Sequence, residues 1–227
     1  MVFQRARKEE QRERRRQEIL DAAWELFEQG GLEMVTFSTI GMKVSFTRQT
    51  IYTYYRSREE VLLDLLSRRM EDFYQDIRAM FPLGKPVSQR EFCERLVDHL
   101  LANKKMLALF SLHIMLENKA RYENILSFKR TMYEAFPVFS MILRDQCPGV
   151  SEDGFCHFCL TIMVYISSLY PLIDQTPLQL KALEEASGGM KLPSEREVVL
   201  SSLLLMTGSF HFRGDRGDEE KDKPRNP

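Results

Sequence analysis

The sequence predicts an all-α protein with an N-terminal three-helix head, a larger C-terminal helical domain and a charged tail. Apolar residues recur at steps of three and four along most segments, as at Ile19, Ala22, Ala23, Leu26 and Phe27, which is the spacing of one helix face. Serine or threonine followed by glutamate marks helix starts, whereas glycine and proline mark ends. We find no alternation typical of a strand. We therefore expect domains at residues 1–60 and 61–212 and a disordered tail at 213–227.

Four helices are expected in the N-terminal part of the chain. The Gly30-Gly31 pair stops the first, and Thr36 and Thr47 can cap the next two. Ser57-x-x-Glu60 forms a capping box that opens the fourth. The expected ranges are 8–29, 37–44, 47–54 and 58–80.

The C-terminal part is divided by the same signals. Pro137 is expected to bend or split one long helix, and Ser151 or Asp153 caps a strongly apolar one. The expected helices are one after Ser88, then 105–118, 120–146, about 154–172, a short piece within 174–193, and 195–212 opened by Ser194.

Composition indicates a soluble globular protein of a reducing compartment. The chain has 227 residues, is 44% hydrophobic and carries a formal charge of -1. Its charged N-terminus lacks the apolar core of a signal peptide, and no apolar run reaches the roughly 20 residues of a membrane span. Four cysteines do not suggest a disulfide framework, so we expect a cytoplasmic protein with no membrane contact.

Charge is concentrated at the N-terminus. Residues 1–16 hold seven lysines and arginines against three glutamates, a local charge of +4. A basic arm on a neutral body suits contact with phosphates, and the alternative is a solvated end that frays.

The segment Thr36–Leu62, TFSTIGMKVSFTRQTIYTYYRSREEVL, contains a short helix whose side chains do not suit a core. Burying polar groups without partners is costly, so the face that carries them is expected to be exposed. These side chains are Thr47, Arg48, Gln49, Thr50 and Thr53. Such a helix suits the major groove of DNA, where arginine pairs with guanine and glutamine with adenine. We assign Arg48 and Gln49 to base edges, and Thr50 and the tyrosine hydroxyls to phosphates.

Two stretches, ILDAAWELFEQGG at 19–31 and the segment at 36–62, resemble the TetR family of bacterial transcriptional regulators. The family pattern resembles T-x-x-x-I-A-x-x-A-G-V-S-x-x-T-L-Y-x-Y-F-x-S-K-E-x-L. The matching positions are Thr36, Ile40, Thr50, Tyr52, Tyr54, Ser57 and Glu59, with conservative matches at Phe46, Thr47, Ile51, Tyr55 and Arg58.

The resemblance implies DNA contacts at a larger set of residues. With the exposed Thr47, the candidates are Thr36, Ser38, Thr47, Arg48, Gln49, Thr50, Tyr52, Tyr54 and Arg58. Arg58 stands beside the anion-binding start of the fourth helix. For Tyr52 and Tyr54 the alternative role is packing.

The chain departs from the family pattern in the turn between the second and third helices. Gly41 and Lys43 differ from the usual residues, and Ser45 replaces the usual turn glycine. We expect Ser45 to hold a positive φ at a cost of about 1 kcal/mol, which would alter the angle between the two helices.

By the same resemblance the C-terminal domain binds an effector and dimerises. The helices at about 154–172 and 195–212 would form a four-helix interface, and two recognition helices one turn of DNA apart imply a palindromic operator. Methionine and aromatic residues in 88–172 suit an adaptable pocket for a small apolar or amphipathic molecule, although ordinary core packing is the preferred explanation for any single one of them. The candidate pocket residues are His99, Phe110, His113, Met132, Phe136 and Tyr165.

The sequence therefore predicts a homodimeric, ligand-responsive repressor. The alternative is a helix-turn-helix-like adaptor that acts through protein contacts and binds DNA weakly. No catalytic constellation is visible, so neither an enzyme nor a cofactor is expected. Cys156-His157-x-Cys159 could suggest a metal or a thiol sensor, but His157 points about 100° away from the cysteines on a helix, so packed free thiols are preferred.

Overall fold

The computed structural model describes residues 2–215, with side chains from Ala6 onward, and confirms the all-α class. No strand occurs within this range. The helices are α1 (Val2–Gly30), α2 (Phe37–Gly41), α3 (Arg48–Ile51), α4 (Arg58–Met80), α5 (Gln89–Ala102), α6 (Lys104–Ser111), α7 (His113–Glu117), α8 (Tyr122–Tyr133), α9 (Ala135–Gln146), α10 (Glu152–Ile173), α11 (Pro177–Ala186) and α12 (Glu195–Met206).

The chain divides into two compact units whose limits differ from the predicted domains. Unit 1 comprises Met1–Glu71 and Leu112–Met132, and unit 2 comprises Asp72–Ser111 and the chain from Tyr133 onward. The predicted boundary at residue 60 therefore falls inside unit 1. The segment 112–132, expected in the C-terminal domain, belongs to the same unit as the helix-turn-helix.

The core of unit 1 forms around the apolar face of α1. Ile19 and Ala23 are fully buried, together with Ile40 of α2 and Ile51 of α3. Helix α1 begins earlier than predicted and ends at Gly30, because Gly31 takes a φ of +67° that favours glycine. This helix is the support on which α2 and α3 pack.

Helices α2 and α3 are shorter than predicted. Helix α2 ends at Gly41 rather than Val44, and α3 ends at Ile51 rather than Tyr54. The next N–H groups donate three residues back, from Thr53 to Thr50 O at 3.0 Å and from Tyr54 to Ile51 O at 2.9 Å. The residues after α3 therefore form a turn with the hydrogen-bond spacing of a 3₁₀-helix, which is tighter than that of an α-helix.

The start of α4 is fixed by a buried carboxylate. Glu60 is 1% exposed and accepts Arg121 Nε at 2.6 Å, Arg121 Nη2 at 2.8 Å and the Arg56 N–H at 2.8 Å. Burial alone would raise the pKa of Glu60, but these donors lower it below its ordinary value. Ser57 Oγ accepts the Glu60 N–H at 3.3 Å, which is the serine half of the predicted capping box, whereas the Glu60 carboxylate accepts the Arg56 and Arg121 donors instead of the Ser57 N–H.

Unit 2 is built around aromatic rings. Phe81, Phe92 and Phe212 form one contact series with ring centroids 4.8 and 5.3 Å apart. Phe158 contacts Phe139 and Phe210 at 5.6 and 5.7 Å. Helix α10 packs on α6, α9 and α12, and α12 packs on α5.

Most sequence signals in unit 2 are confirmed. The hydroxyls of Ser88, Ser151 and Ser194 each accept the backbone N–H three residues later. A break at Glu134 separates α8 from α9, which places Pro137 in the first turn of α9, where proline is tolerated.

The C-terminal end of the described chain differs from the prediction. Helix α12 stops at Met206 rather than Phe212, because Phe210 and Phe212 turn back into the core. The expected disordered tail does not begin at Arg213: its N–H donates to Gln146 O at 2.8 Å, and Gly214 N–H donates to Val87 O at 3.2 Å. Residues 216–227 of the expected tail lie outside the described residues.

We predict that Arg121→Met destabilises the protein by about 2 kcal/mol. The substitution leaves the Glu60 carboxylate buried without its main donors, and partial exposure of Arg121 keeps the loss below that of a fully buried pair. Urea unfolding followed by circular dichroism measures the change. Arg14→Met removes an exposed pair with Glu10 and should cost less than about 0.5 kcal/mol. Equal effects of the two variants would contradict the role of Glu60.

Candidate nucleic-acid interface

The α2–turn–α3 segment buries its apolar residues and presents its polar ones. Phe37, Ile40, Ile51 and Tyr55 are all buried. At the start of α2, Thr36 and Thr39 form a reciprocal capping box, in which Thr36 Oγ1 accepts the Thr39 N–H at 3.1 Å. The apolar spacing therefore fixes which face of α3 points outward.

The turn between α2 and α3 does not need the family's glycine. Within the described residues only glycines have a positive φ, so the expectation for Ser45 was wrong. The Ser45 N–H instead donates to the carboxylate of Glu18 on α1, and Ser45 Oγ lies 3.0 Å from Glu18 Oε2. Lys43 Nζ contacts Glu25 Oε2 on the same helix at 2.8 Å. Two departures from the family pattern thus have acidic partners on α1.

Helix α3 lies close to α2 at Gly41. A Cβ added at Gly41 would lie 3.3 Å from Arg48 Cβ, a contact tighter than ordinary van der Waals packing. The absence of a side chain at Gly41 therefore lets the first residue of α3 approach α2.

Arg48 and Tyr52 form one exposed pair on α3. Arg48 Nη2 donates to Tyr52 Oη at 3.0 Å, and its guanidinium lies 5.7 Å from the centre of the Tyr52 ring. Tyr52 is 46% exposed and packs edge-on against Phe37 with a centroid distance of 4.8 Å. Tyr52 therefore both packs and exposes its hydroxyl, which orients the Arg48 fork at the surface.

The remaining small polar residues are accessible. Ser38, Thr47 and Gln49 are exposed, and Thr50 is half-buried. Thr47 occupies the N-cap position of α3 but does not cap it; its hydroxyl lies 3.2 Å from Thr50 Oγ1. This part of the predicted interface offers hydroxyl and amide groups at the surface.

Two predicted contact residues have their side chains engaged within the protein. The Thr36 hydroxyl serves the capping box described above. Arg58 is half-buried, and its Nη1 donates to Leu32 O at 3.3 Å. The Thr36 hydroxyl and part of the Arg58 guanidinium are therefore already used within the protein, in contrast to the side chain of Gln49.

The end of the recognition segment, a name used here for the chain from Phe46 to Tyr55 around α3, is anchored to α1 and α4. Tyr55 Oη donates to the Asp64 carboxylate, which also accepts Arg16 Nε at 2.7 Å. Burial, followed by the Asp64 charge, raises the pKa of Tyr55, so its hydroxyl stays a donor. The neighbouring Tyr54 is half-buried, with the guanidinium of Arg12 5.9 Å from its ring centre. These residues line a polar cleft of about 260 Å³ in unit 1.

The six predicted pocket residues fall in both units. His113 and Met132 belong to unit 1, and the others belong to unit 2. His99 is half-buried and stacks on Phe73 at 4.4 Å; burial lowers its pKa. Phe136 stacks on Tyr133 at 5.5 Å, and His113 lies 5.9 Å from the Phe128 ring. None of the six lines the polar cleft.

The cysteines of α10 differ in environment. Cys156 is exposed, as is His157, whereas Cys159 is fully buried and its burial raises its pKa to about 12. A buried thiol with a raised pKa is a packing group rather than a reactive one. Of the two cysteines on α10, Cys159 is packed within unit 2, and the packing of Cys156 in a dimer stays a prediction.

A helix-turn-helix whose last helix presents arginine, glutamine and hydroxyls on its outer face is typical of DNA-binding regulators. Residues 19–65 match the family described as "Bacterial regulatory proteins, tetR family". Residues 67–198 match "Tetracyclin repressor-like, C-terminal domain". The chain belongs to the TetR family and is a DNA-binding transcriptional regulator of the ligand-responsive repressor type.

Solved structures share the fold at low sequence identity. The fatty acid degradation regulator FadR of Bacillus halodurans is 17% identical, with 88% of this chain and 97% of that chain covered and a TM-score of 0.54. FadR of Bacillus subtilis in complex with stearoyl-CoA is 15% identical, with coverage of 86% and 99% and a TM-score of 0.54.

A third structure of the same fold is SmeT, the repressor of the Stenotrophomonas maltophilia multidrug efflux pump SmeDEF. It is 15% identical, with coverage of 86% and 89% and a TM-score of 0.52. No curated protein sequence matches the chain.

We predict that Glu18→Gln destabilises the protein by about 1 kcal/mol. The variant weakens the charged acceptor for the Ser45 N–H, which is exposed enough for water to compensate in part. Urea unfolding measures the effect, and Glu28→Gln, an exposed residue on the same helix, is the matched control with no expected change. If the two variants unfold alike, Glu18 does not hold the turn.

Proposed function

We propose that the protein binds a palindromic operator as a homodimer and represses transcription until a small molecule releases it. The observation that carries the proposal is the exposed pair Arg48 and Gln49 at the start of α3, beside a hydroxyl-rich surface. The first residues of a recognition helix come closest to base edges. The adaptor alternative rested on the missing turn glycine and on the modest basic charge, and because Ser45 needs no positive φ, the first of these reasons no longer applies.

The side chains divide into sequence-reading and phosphate-binding groups. Arg48, oriented by Tyr52, suits guanine O6 and N7, and Gln49 suits adenine. Ser38, Thr47, Thr50 and Tyr54 suit phosphates, which fix the position of the protein on the duplex. Thr36 and Arg58 can contribute through the backbone N–H groups that begin α2 and α4, or after releasing their internal partners.

The apolar faces of α10 and α12 support a dimer through these helices. Val164 on α10 is 70% exposed and Leu205 on α12 is 83% exposed, and Leu160, Leu172 and Val198 are also exposed. These two helices contact each other within unit 2. A two-fold axis beside them would bury these residues against their counterparts in a second copy.

Two buried polar atoms support an effector site in unit 2. His99 Nε2 and Tyr165 Oη are buried and make no hydrogen bond of good geometry among the described residues, and their nearest polar neighbours are the Phe73 backbone and the Ser202 side chain. Such atoms are rare in folded proteins and suit a ligand with its own polar group. An apolar or amphipathic effector fits a site beside His99, whose ring stacks on Phe73 at 4.4 Å. Release from DNA requires that the effector bind the DNA-free conformation more tightly than the DNA-bound one. Each 1.4 kcal/mol of difference between these two binding free energies changes the affinity for the operator tenfold.

We assign the protein to the cytoplasm, where its operator lies. By length and composition α10 could cross a membrane. Its exposed apolar residues are also what a dimer helix requires, and the family's members act on DNA.

We predict that Arg48→Ala and Gln49→Ala each weaken operator binding by about 1–3 kcal/mol and reduce discrimination at one base pair. Tyr54→Phe should weaken binding to cognate and altered DNA alike, because it removes a phosphate contact. Fluorescence anisotropy with the DNA upstream of the gene, and with single-base variants of it, measures both effects. Arg130→Ala, an exposed arginine on α8, is the control. Unchanged discrimination in Arg48→Ala and Gln49→Ala would contradict the assignment.

We predict that Val164→Glu or Leu205→Glu converts the dimer to a monomer, raising the dimer Kd by more than about 100-fold, since a charge would be buried in an apolar contact. Analytical ultracentrifugation measures the shift. Leu178→Glu changes a leucine of α11 that is 77% exposed and lies outside the proposed interface, so it should remain dimeric. A dimer that survives both substitutions would place the interface elsewhere.

A further inference from the structure

The first part of α1 carries a row of cations on one face. Lys8, Arg12 and Arg15 are spaced by four and three residues, which places them within about 60° of each other around the helix. The glutamates of this stretch point to other directions. Glu10 pairs with Arg14 at 2.7 Å, and Glu13 pairs with Arg16 at 3.2 Å.

These three cations remain unneutralised by acids. Within the described side chains, Lys8, Arg12 and Arg15 make no ion pair, whereas Arg14 and Arg16 do. A solvated helix face usually mixes charges of both signs, and this stretch does so at positions 10, 13, 14 and 16. The row formed by Lys8, Arg12 and Arg15, called here the α1 stripe, differs because it is entirely positive.

The α1 stripe is held beside the recognition segment. The guanidinium of Arg12 lies 5.9 Å from the ring centre of Tyr54, and that of Arg15 lies 5.6 Å from the ring centre of Phe46. Phe46 precedes α3 and Tyr54 follows it. Arg12 and Tyr54 also line the same polar cleft. The stripe therefore contacts the chain both before and after α3, which places it next to the exposed polar face of α3.

We propose that the α1 stripe binds backbone phosphates of the operator flank, outside the base pairs that α3 reads. The stripe runs about 10 Å along the helix axis, since seven residues rise about 1.5 Å each. That length exceeds the spacing of roughly 3.4 Å per nucleotide along one strand, so more than one phosphate can be reached. The inference rests on the proposed function and adds a second contact surface to it.

The contacts are sequence-independent. Two of the three guanidinium and ammonium groups already stack on aromatic rings, which leaves their N–H groups at the edges for anions. Phosphate contacts of this kind raise affinity through release of counterions and therefore steepen the dependence on salt. The proposal predicts a change in salt dependence and in footprint length, with base preference unchanged.

The test compares two double variants of equal charge. Lys8→Gln with Arg12→Gln removes two exposed cations of the stripe, and Arg7→Gln with Arg14→Gln removes two exposed cations from another face of the same stretch. Operator affinity is measured by anisotropy across a series of salt concentrations, and protection is mapped with hydroxyl radicals. Helix content and melting temperature check that both variants fold.

In the stripe variant, the plot of log K for operator association against log salt concentration should have a less negative slope, by up to about 3.6. This value is 0.9 for each of four phosphate contacts in a dimer. Its protected region should shorten at both outer ends, while the control variant keeps the slope and footprint of the unaltered protein. Equal slopes and footprints in the two variants would overturn the proposal, since net charge alone would then explain the effect. If the unaltered protein protects no DNA, the proposed function fails instead, which is a distinguishable result.

Discussion

Glu60 carries its charge where water does not reach, and that charge is matched by donors from two distant parts of unit 1. Arg56 supplies a backbone N–H just after the recognition segment, and Arg121 supplies its side chain and its own N–H. An ionised carboxylate buried without such donors would cost several kcal/mol. The chain between residues 112 and 132 is therefore held to the beginning of α4 by the need to satisfy one side chain.

The same constraint explains how so short a recognition helix keeps its geometry. Helix α3 has four residues, far fewer than the dozen or more that a helix needs for stability in water. Its position is set from outside. Glu18 on α1 holds the Ser45 turn before it, and Asp64 and Glu60 on α4 hold Tyr55 and Arg56 after it. The reading side chains of α3 are thus held by hydrogen bonds from the flanking chain to carboxylates of α1 and α4.

Local patterns in the sequence were enough to predict the helical class, several helix starts and the polar face of α3, but not where α2, α3 and α12 end, because caps and apolar spacing act over a few residues. Ser88, Ser151 and Ser194 cap where expected, and Gln49 is exposed where expected. Glu18 as the partner of Ser45 and Arg121 as the partner of Glu60 could not be predicted in this way, since they are 27 and 61 residues away. The expected positive φ at Ser45 was inferred from the residues of the turn alone. In the structure the turn is stabilised by the contact of Ser45 with Glu18 on α1, and no positive φ is needed.

Resemblance to a family has a related limit at the interface. A pattern shows that a residue type recurs, but it does not show whether the side chain is already used. The Thr36 hydroxyl completes a cap and Arg58 donates to a carbonyl, while Gln49 stays available. Hydrogen bonds within the protein and contacts with DNA draw on the same donors, so a group committed to one must be released before it serves the other. For Arg48 the two uses are compatible, because its bond to Tyr52 leaves other N–H groups of the guanidinium free to point outward.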